Sequence, residues 1–204
     1  LGDFATLNLM DFSKDQVALI TGASSGVGKA IALELAQRGI SLALVGRDRE
    51  TLEKVAEAAA GESTMIRCYQ ADLTNDVELA AFAESLSHDF PRVDMVVHSA
   101  GLFAMGKLET APLADFDRQF NCNVRAPYAL TQRLLPTLIQ SAGQIVFINS
   151  TAGLNAGAGV SQYAATKHAL KAVADSLWHN PVAVDVVDTR RHRLQDRIAE
   201  GADL

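Results

Sequence analysis

The chain has 204 residues, 49% of them hydrophobic, with a formal net charge of −6 and an isoelectric point near 5.3. That length and apolar content suit a single globular domain with a sizeable core, and the acidic balance argues against nucleic acid as a principal partner. No apolar run reaches membrane-spanning length and no Cys/His grouping has metal-ligand spacing, so neither a membrane nor a metal is expected.

Leu1 to Phe12 carries Asp3 and Asp11 and no basic residue, unlike a secretory signal. Residues 1–13 are read as a flexible lead-in, with Met10 as a candidate natural start. Val17 to Thr21 then reads as a short buried strand, and Lys29 to Arg38 as a helix with Gly39 as its C-cap. Between them stands the turn Thr21-Gly22-Ala23-Ser24-Ser25-Gly26-Val27-Gly28. A glycine-rich turn between strand and helix lets backbone approach a pyrophosphate at a helix N-terminus. The alternative is a tight βα turn that binds nothing.

Leu42 to Val45 is the second strand, ending in Gly46-Arg47-Asp48-Arg49, and Glu50 to Ala60 the next helix. A carboxylate at this strand end would bond a ribose 2′-OH, whereas an Arg suits a 2′-phosphate. Gly46 offers no carboxylate, so Arg47 favours NADP(H) over NAD(H). Asp48 keeps NAD(H) open, and Arg47 and Arg49 also read as ordinary surface charges.

Further strands are predicted at Met65–Tyr69, Met95–Ser99, Gln144–Asn149 and Val182–Val187, with helical patterns between them. Pro112 precedes a helix starting near Leu113, and Pro136 is expected to kink the long helical pattern that follows. This βα alternation predicts an α/β fold with a parallel sheet covered on both faces. Cys68 and Cys122 read as reduced thiols of a cytoplasmic protein.

Ser150 closes the fifth strand, and Tyr163 and Lys167 lie four residues apart on the helical stretch Ser161 to Trp178. A phenol is a poor base at neutral pH, and a neighbouring ammonium lowers its pKa. Tyr163 would then exchange a proton with a substrate oxygen that the Ser150 hydroxyl holds. By spacing alone, Tyr163 and Lys167 also read as an amphipathic surface pair.

Taken together, these motifs resemble the short-chain dehydrogenase/reductase family from Val17 to about Trp178. The resemblance implies a doubly wound Rossmann fold in one domain, 14–187. It implies hydride transfer between a nicotinamide cofactor and a carbonyl or alcohol substrate. It places Thr21, Gly22, Ser24, Ser25, Gly26, Val27 and Gly28 at the pyrophosphate, and Asp72 with Leu73 beside the adenine. Ser99, Ala100 and Gly101 stand where the family has its Asn-Asn-Ala-Gly segment, here His98-Ser99-Ala100-Gly101. Asn123 would hold a water in a relay from Lys167, which also anchors the ribose. Family members pair as homodimers or homotetramers through helices corresponding to Asp115–Ile139 and Ser161–Trp178.

Two departures stand out. His98 replaces an asparagine and reads as a packed structural histidine. After Trp178 no Pro-Gly follows the strand Val182–Val187, and a charged tail, 188–204, takes the place of the family's lid and last elements. The C-terminus thus reads as truncated or altered, which admits a second reading: a non-catalytic nucleotide-binding or hetero-oligomerising form. Whether Val182 to Leu204 closes the sheet or hangs free discriminates between them. Leu102 to Leu108 and Leu154 to Gly159, small and apolar, are expected to shape the substrate pocket and admit a lipophilic carbonyl.

Overall fold

The computed structural model describes residues 15–61, 65–177 and 181–188. The expected lead-in, the tail beyond Asp188, and Trp178 lie outside the described residues. Among those described, no helix is long and apolar enough to cross a membrane, and no group of His, Cys, Asp and Glu could hold a metal ion.

Six strands alternate with helices. In chain order they are β1 (Val17–Thr21), α1 (Gly26–Gln37), β2 (Ser41–Gly46), α2 (Arg49–Ala59), β3 (Ile66–Gln70), α3 (Asp76–Asp89), β4 (Met95–His98), α4 (Leu113–Phe120), α5 (Ala126–Ser141), β5 (Gln144–Asn149), α6 (Ser161–Asp175) and β6 (Ala183–Asp188). All strand pairs are parallel, in the order β3-β2-β1-β4-β5-β6. The order reverses between β1 and β4, the switch point of a doubly wound Rossmann sheet, where ligands bind beyond the carboxyl ends of the strands.

Both faces of the central strands β1, β2, β4 and β5 are buried, which is why they read as continuous apolar runs, whereas the edge strand β3 is only partly covered. On one face Ile31 and Leu35 of α1 and Leu52 and Val55 of α2 pack on Ile20, Leu44 and Val97. On the other, Phe82 of α3, Leu134 of α5 and Leu170 of α6 gather around Leu19, Val96, Ile145 and Phe147. Asp94 ties the lower edge: its Oδ2 accepts the Val17 N–H at 2.9 Å and Oδ1 meets Arg92.

Several boundaries differ from the sequence reading for local reasons. β3 extends to Gln70 because Gly46 of β2 pairs with it, and β6 reaches Asp188 opposite Asn149. α1 begins at Gly26, three residues early, since the Lys29 N–H already bonds the Ser25 carbonyl. The long helical pattern is not one helix: α4 passes through a π-helical turn, Asn121–Arg125, before α5. α5 then continues through Pro136 to Ser141 and stops at Ala142, whose φ of 49° ends it. The strand after α6 does not hang free, because β6 pairs with β5 along six positions, from Gln144↔Ala183 to Asn149↔Asp188.

Candidate active site

The glycine turn leads from the end of β1 into α1. Gly22, at φ 63°, turns the chain under β4; a Cβ there would lie 2.8 Å from the Ala100 Cα. Gly26, at φ 54°, is different: a Cβ there would meet nothing within 4 Å. Ser25, the N-cap of α1, makes no side-chain capping bond, and the first turn holds no acidic residue. The α1 N-terminus therefore keeps its positive end and N–H groups turned to an open space, a cradle suited to a pyrophosphate.

Thr21 fixes the turn against β4. Its Oγ1 accepts the N–H groups of Ser99 and Ala100, each at 3.1 Å, and the Ser99 hydroxyl bonds the Thr21 carbonyl. Ser99 thus supplies side-chain bonding of its own at the place where the resembled family has asparagine. His98, just before it, is 4% exposed; Thr131 Oγ1 lies 2.8 Å from its Nε2, and its ring stacks on Phe147 at 4.9 Å. Burial drives its pKa down to about 3, so it stays neutral and packs as a structural residue.

At the end of β2, Arg47 and Asp48 face different tasks. Asp48 caps α2, its Oδ1 accepting the Thr51 N–H at 3.0 Å, and that bond holds its carboxyl below the usual range. Arg47 lines the cavity and Asp48 does not. Across from Arg47, Asp72 Oδ1 accepts both the Thr74 N–H at 2.9 Å and the Thr74 hydroxyl at 2.7 Å, which lowers its pKa.

Lys167 on α6 is 6% exposed, and its Nζ donates to the Ile148 carbonyl at 2.9 Å. Burial pushes its pKa down to about 8. Nζ lies 5.8 Å from the centroid of the Tyr163 ring, one helical turn earlier. Ser150 Oγ accepts the Ala152 N–H at 3.2 Å, capping a short 3₁₀ turn, Thr151–Gly153. Accepting that bond leaves the hydroxyl proton to donate elsewhere. Asn123 sits in the π-helical turn with its amide engaged: Oδ1 accepts the Leu102 N–H at 2.7 Å, while Nδ2 donates to the Leu102 carbonyl at 2.8 Å and Thr166 Oγ1 at 3.0 Å.

One cavity of about 600 Å³ gathers these pieces at the carboxyl edge of the sheet. Its wall includes every residue expected at a cofactor: the turn from Thr21 and Gly22 through Ser24–Gly28, then Arg47, Asp72, Leu73, Ser99–Gly101, Tyr163 and Lys167. Asn123 and Ser150 are not on that wall. Asn123 lies behind Gly101, and Ser150 follows the wall residue Asn149. The sequence reading missed Arg118, Asn121 and Cys122, which also line the cavity. Their three- and four-residue offsets place them along one helical side, and that spacing was the available signal. Burial raises the Cys122 thiol pKa.

The short chain dehydrogenase family model matches residues 16–187. An uncharacterised oxidoreductase of Staphylococcus epidermidis is 33% identical over 165 residues, covering 80% of this chain and 70% of that protein. An alcohol dehydrogenase from the archaeon Thermococcus sibiricus, complexed with 5-hydroxy-NADP, has a similar structure with TM-score 0.82 at 28% identity, covering 85% of this chain and 75% of the other. A short chain dehydrogenase/reductase from Burkholderia phymatum, in complex with NAD, gives TM-score 0.80 at 27% identity, covering 86% of this chain and 66% of the other.

Proposed function

We infer the activity from one premise: this chain belongs to the short-chain dehydrogenase family. It is an NAD(P)-dependent oxidoreductase, and in our reading it prefers NADP(H) and acts on a carbonyl or alcohol substrate through Ser150, Tyr163 and Lys167. The observation that carries the cofactor preference is the division of labour after β2. Arg47 faces the cavity, while the neighbouring carboxylate of Asp48 is committed to capping α2. A guanidinium at that edge matches a 2′-phosphate through paired N–H donors.

The bound nicotinamide would supply or accept the hydride. The chain's own residues place and protonate the reacting oxygen. The open cradle at Gly26 and the uncapped α1 N-terminus would hold the pyrophosphate, and Asp72, Leu73 and Ser99 to Gly101 on the same cavity wall would contact the rest of the cofactor. Ser150 donates its hydroxyl proton to the substrate oxygen as charge grows there. Tyr163 passes a proton to that oxygen, or takes one in the reverse direction. The Lys167 ammonium, 5.8 Å from the centre of its ring, is placed to favour the phenolate over the phenol. Lys167 also bonds the ribose. Asn123, its side-chain amide engaged with Leu102 and Thr166, would take part in the relay by holding a water.

The pairing of β6 with β5 supports an intact catalytic sheet over a non-catalytic form. Assembly as a homodimer or homotetramer through α4, α5 and α6, in the cytoplasm, belongs to the same proposal. Phe120 and Tyr128 on those helices are 39% and 52% exposed.

The test is titration with NADPH and, separately, NADH, followed by nicotinamide fluorescence, for wild type and Arg47→Ala. Loss of charge-assisted bonds to a phosphate, at about 1.5–3 kcal/mol, weakens NADPH binding by at least about tenfold, while NADH binding changes less than twofold. Equal weakening of both, or tighter NADH binding by wild type, refutes the NADP(H) assignment. Carbonyl reduction that survives in Tyr163→Phe refutes the proton-transfer assignment.

A further inference from the structure

Phe103 is 59% exposed, yet its main chain is pinned on both sides. The Leu102 N–H and carbonyl are both held by the Asn123 amide, and the Ala104 N–H donates to Gln119 Oε1 at 3.0 Å. Gln119 is itself 1% exposed. The Phe103 ring lines the cavity and meets the Tyr163 ring edge-on, at 4.8 Å and 85°. An aromatic ring held open to solvent beside the proton-handling tyrosine is surface that a ligand would cover.

The neighbouring surface has the same character. Residues 102–106 and 154–160 contain no ionisable side chain. The two segments are tied by the Gly106 N–H donating to the Gly159 carbonyl at 2.9 Å. On them Met105 and Leu154 stand 67% and 55% exposed. Of Phe103, Met105 and Leu154, Phe103 alone stands on the cavity wall, and an exposed apolar side chain beside a polar site marks a contact surface. Arg118 is a cation on the same cavity, but it is paired with Asp115, so an anionic substrate would compete with that carboxylate.

We propose that the substrate end of the cavity selects uncharged, apolar carbonyl compounds, and that Phe103 is its specificity-determining residue. This rests on the carbonyl/alcohol reading above. The ring covers the apolar body of the substrate while the carbonyl oxygen reaches Tyr163. The anchoring of Leu102 and Ala104 fixes the ring in place before the substrate arrives, which lowers the ordering cost of binding.

Binding is read separately from turnover. Two unreactive probes, 4-isopropylbenzamide and 4-carboxybenzamide, are titrated calorimetrically into the NADPH-loaded protein. The apolar probe binds at least about tenfold more tightly, and Phe103→Ala weakens it about three- to tenfold, the range of one aromatic contact. NADPH affinity is unchanged in that variant, and Phe103→Leu retains part of the binding. Equal or tighter binding of the carboxylate probe overturns the proposal, as does a Phe103→Ala protein that binds the apolar probe as wild type does. Reduction of the matching 4-isopropyl- and 4-carboxybenzaldehydes is measured alongside. Apolar-selective binding without turnover upholds the Phe103 assignment and refutes the catalytic one.

Discussion

Lys167 gives a prediction that depends on its burial and on little else. Lys167 is 6% exposed, and burial holds its pKa near 8, against 10.5 ordinarily; Cys122 acts in the opposite direction. In the unfolded chain the same ammonium keeps its proton to about pH 10.4. Between about pH 8 and 10.5 the unfolded state therefore binds more protons than the native one, and stability rises with pH. Below that window the whole cost of burying the charge is present; above it the cost is gone. Across the window the change is roughly 3 kcal/mol. The assay is urea unfolding without cofactor, with and without Lys167→Met, at steps from pH 7.5 to 10.5. Tyr163 and Cys122 sit beside Lys167, so both proteins carry Tyr163→Phe and Cys122→Ser; the remaining groups titrate alike in the two, and the difference isolates this side chain. The protein that keeps Lys167 gains about 3 kcal/mol on the methionine variant as pH rises. Parallel stability curves would refute the reasoning, because they would mean that water reaches Nζ in the native state and the charge is not desolvated.

Gly22 and Gly26 should separate structure from ligand binding. Gly22→Ala drives a methyl group into the Ala100 backbone and is expected to cost several kcal/mol by denaturant unfolding, about 1–2 of it from the left-handed backbone alone. Gly26→Ala meets open space and pays only that backbone term, yet it places a methyl group in the cradle, so NADPH affinity falls at least about tenfold. Unchanged affinity would move the pyrophosphate elsewhere. His98 stays neutral down to about pH 3, while its unfolded counterpart takes a proton near pH 6.5. Stability therefore falls on acidification below pH 6.5, by about 1.4 kcal/mol per pH unit from this residue. That part of the slope is absent from His98→Gln between pH 4.5 and 6.5; an equal slope in both proteins would place the imidazole in contact with water.

Much of the strand framework was legible because a sheet covered on both faces demands unbroken apolar runs, as in Leu42-Ala43-Leu44-Val45. Part of the cavity wall was legible from residue chemistry, because a phosphate cradle and a tyrosine–lysine pair restrict residue type as well as spacing; Asp72, Leu73 and Ser99 to Gly101 were expected only from the family resemblance. Strand ends were less so: β3 stops at Gln70 and β6 at Asp188 because their partner strands run that far, and no local signal reports a partner's length. Asn123 shows another kind of gap. Its residue type suits a relay, but only the fold reveals that its amide is engaged by the Leu102 main chain. The roles of Arg47 and Asp48 could not be separated by order in the chain, because the α2 cap decides which of them turns to the cavity.

The π-helical turn at Asn121–Arg125 acts as a phase shifter between two otherwise regular screws. An α-helix advances about 100° per residue, so one residue removed between positions 121 and 125 would rotate everything upstream by roughly that angle against everything downstream. Arg118 would swing off the cavity wall, and Gln119 would lose its hold on Ala104 while Asn123 kept its grip on Leu102. The number of residues in this stretch thus sets which side chains of α4 address the ligand. A homologue with identical α4 letters but a different winding here would show its substrate a different face.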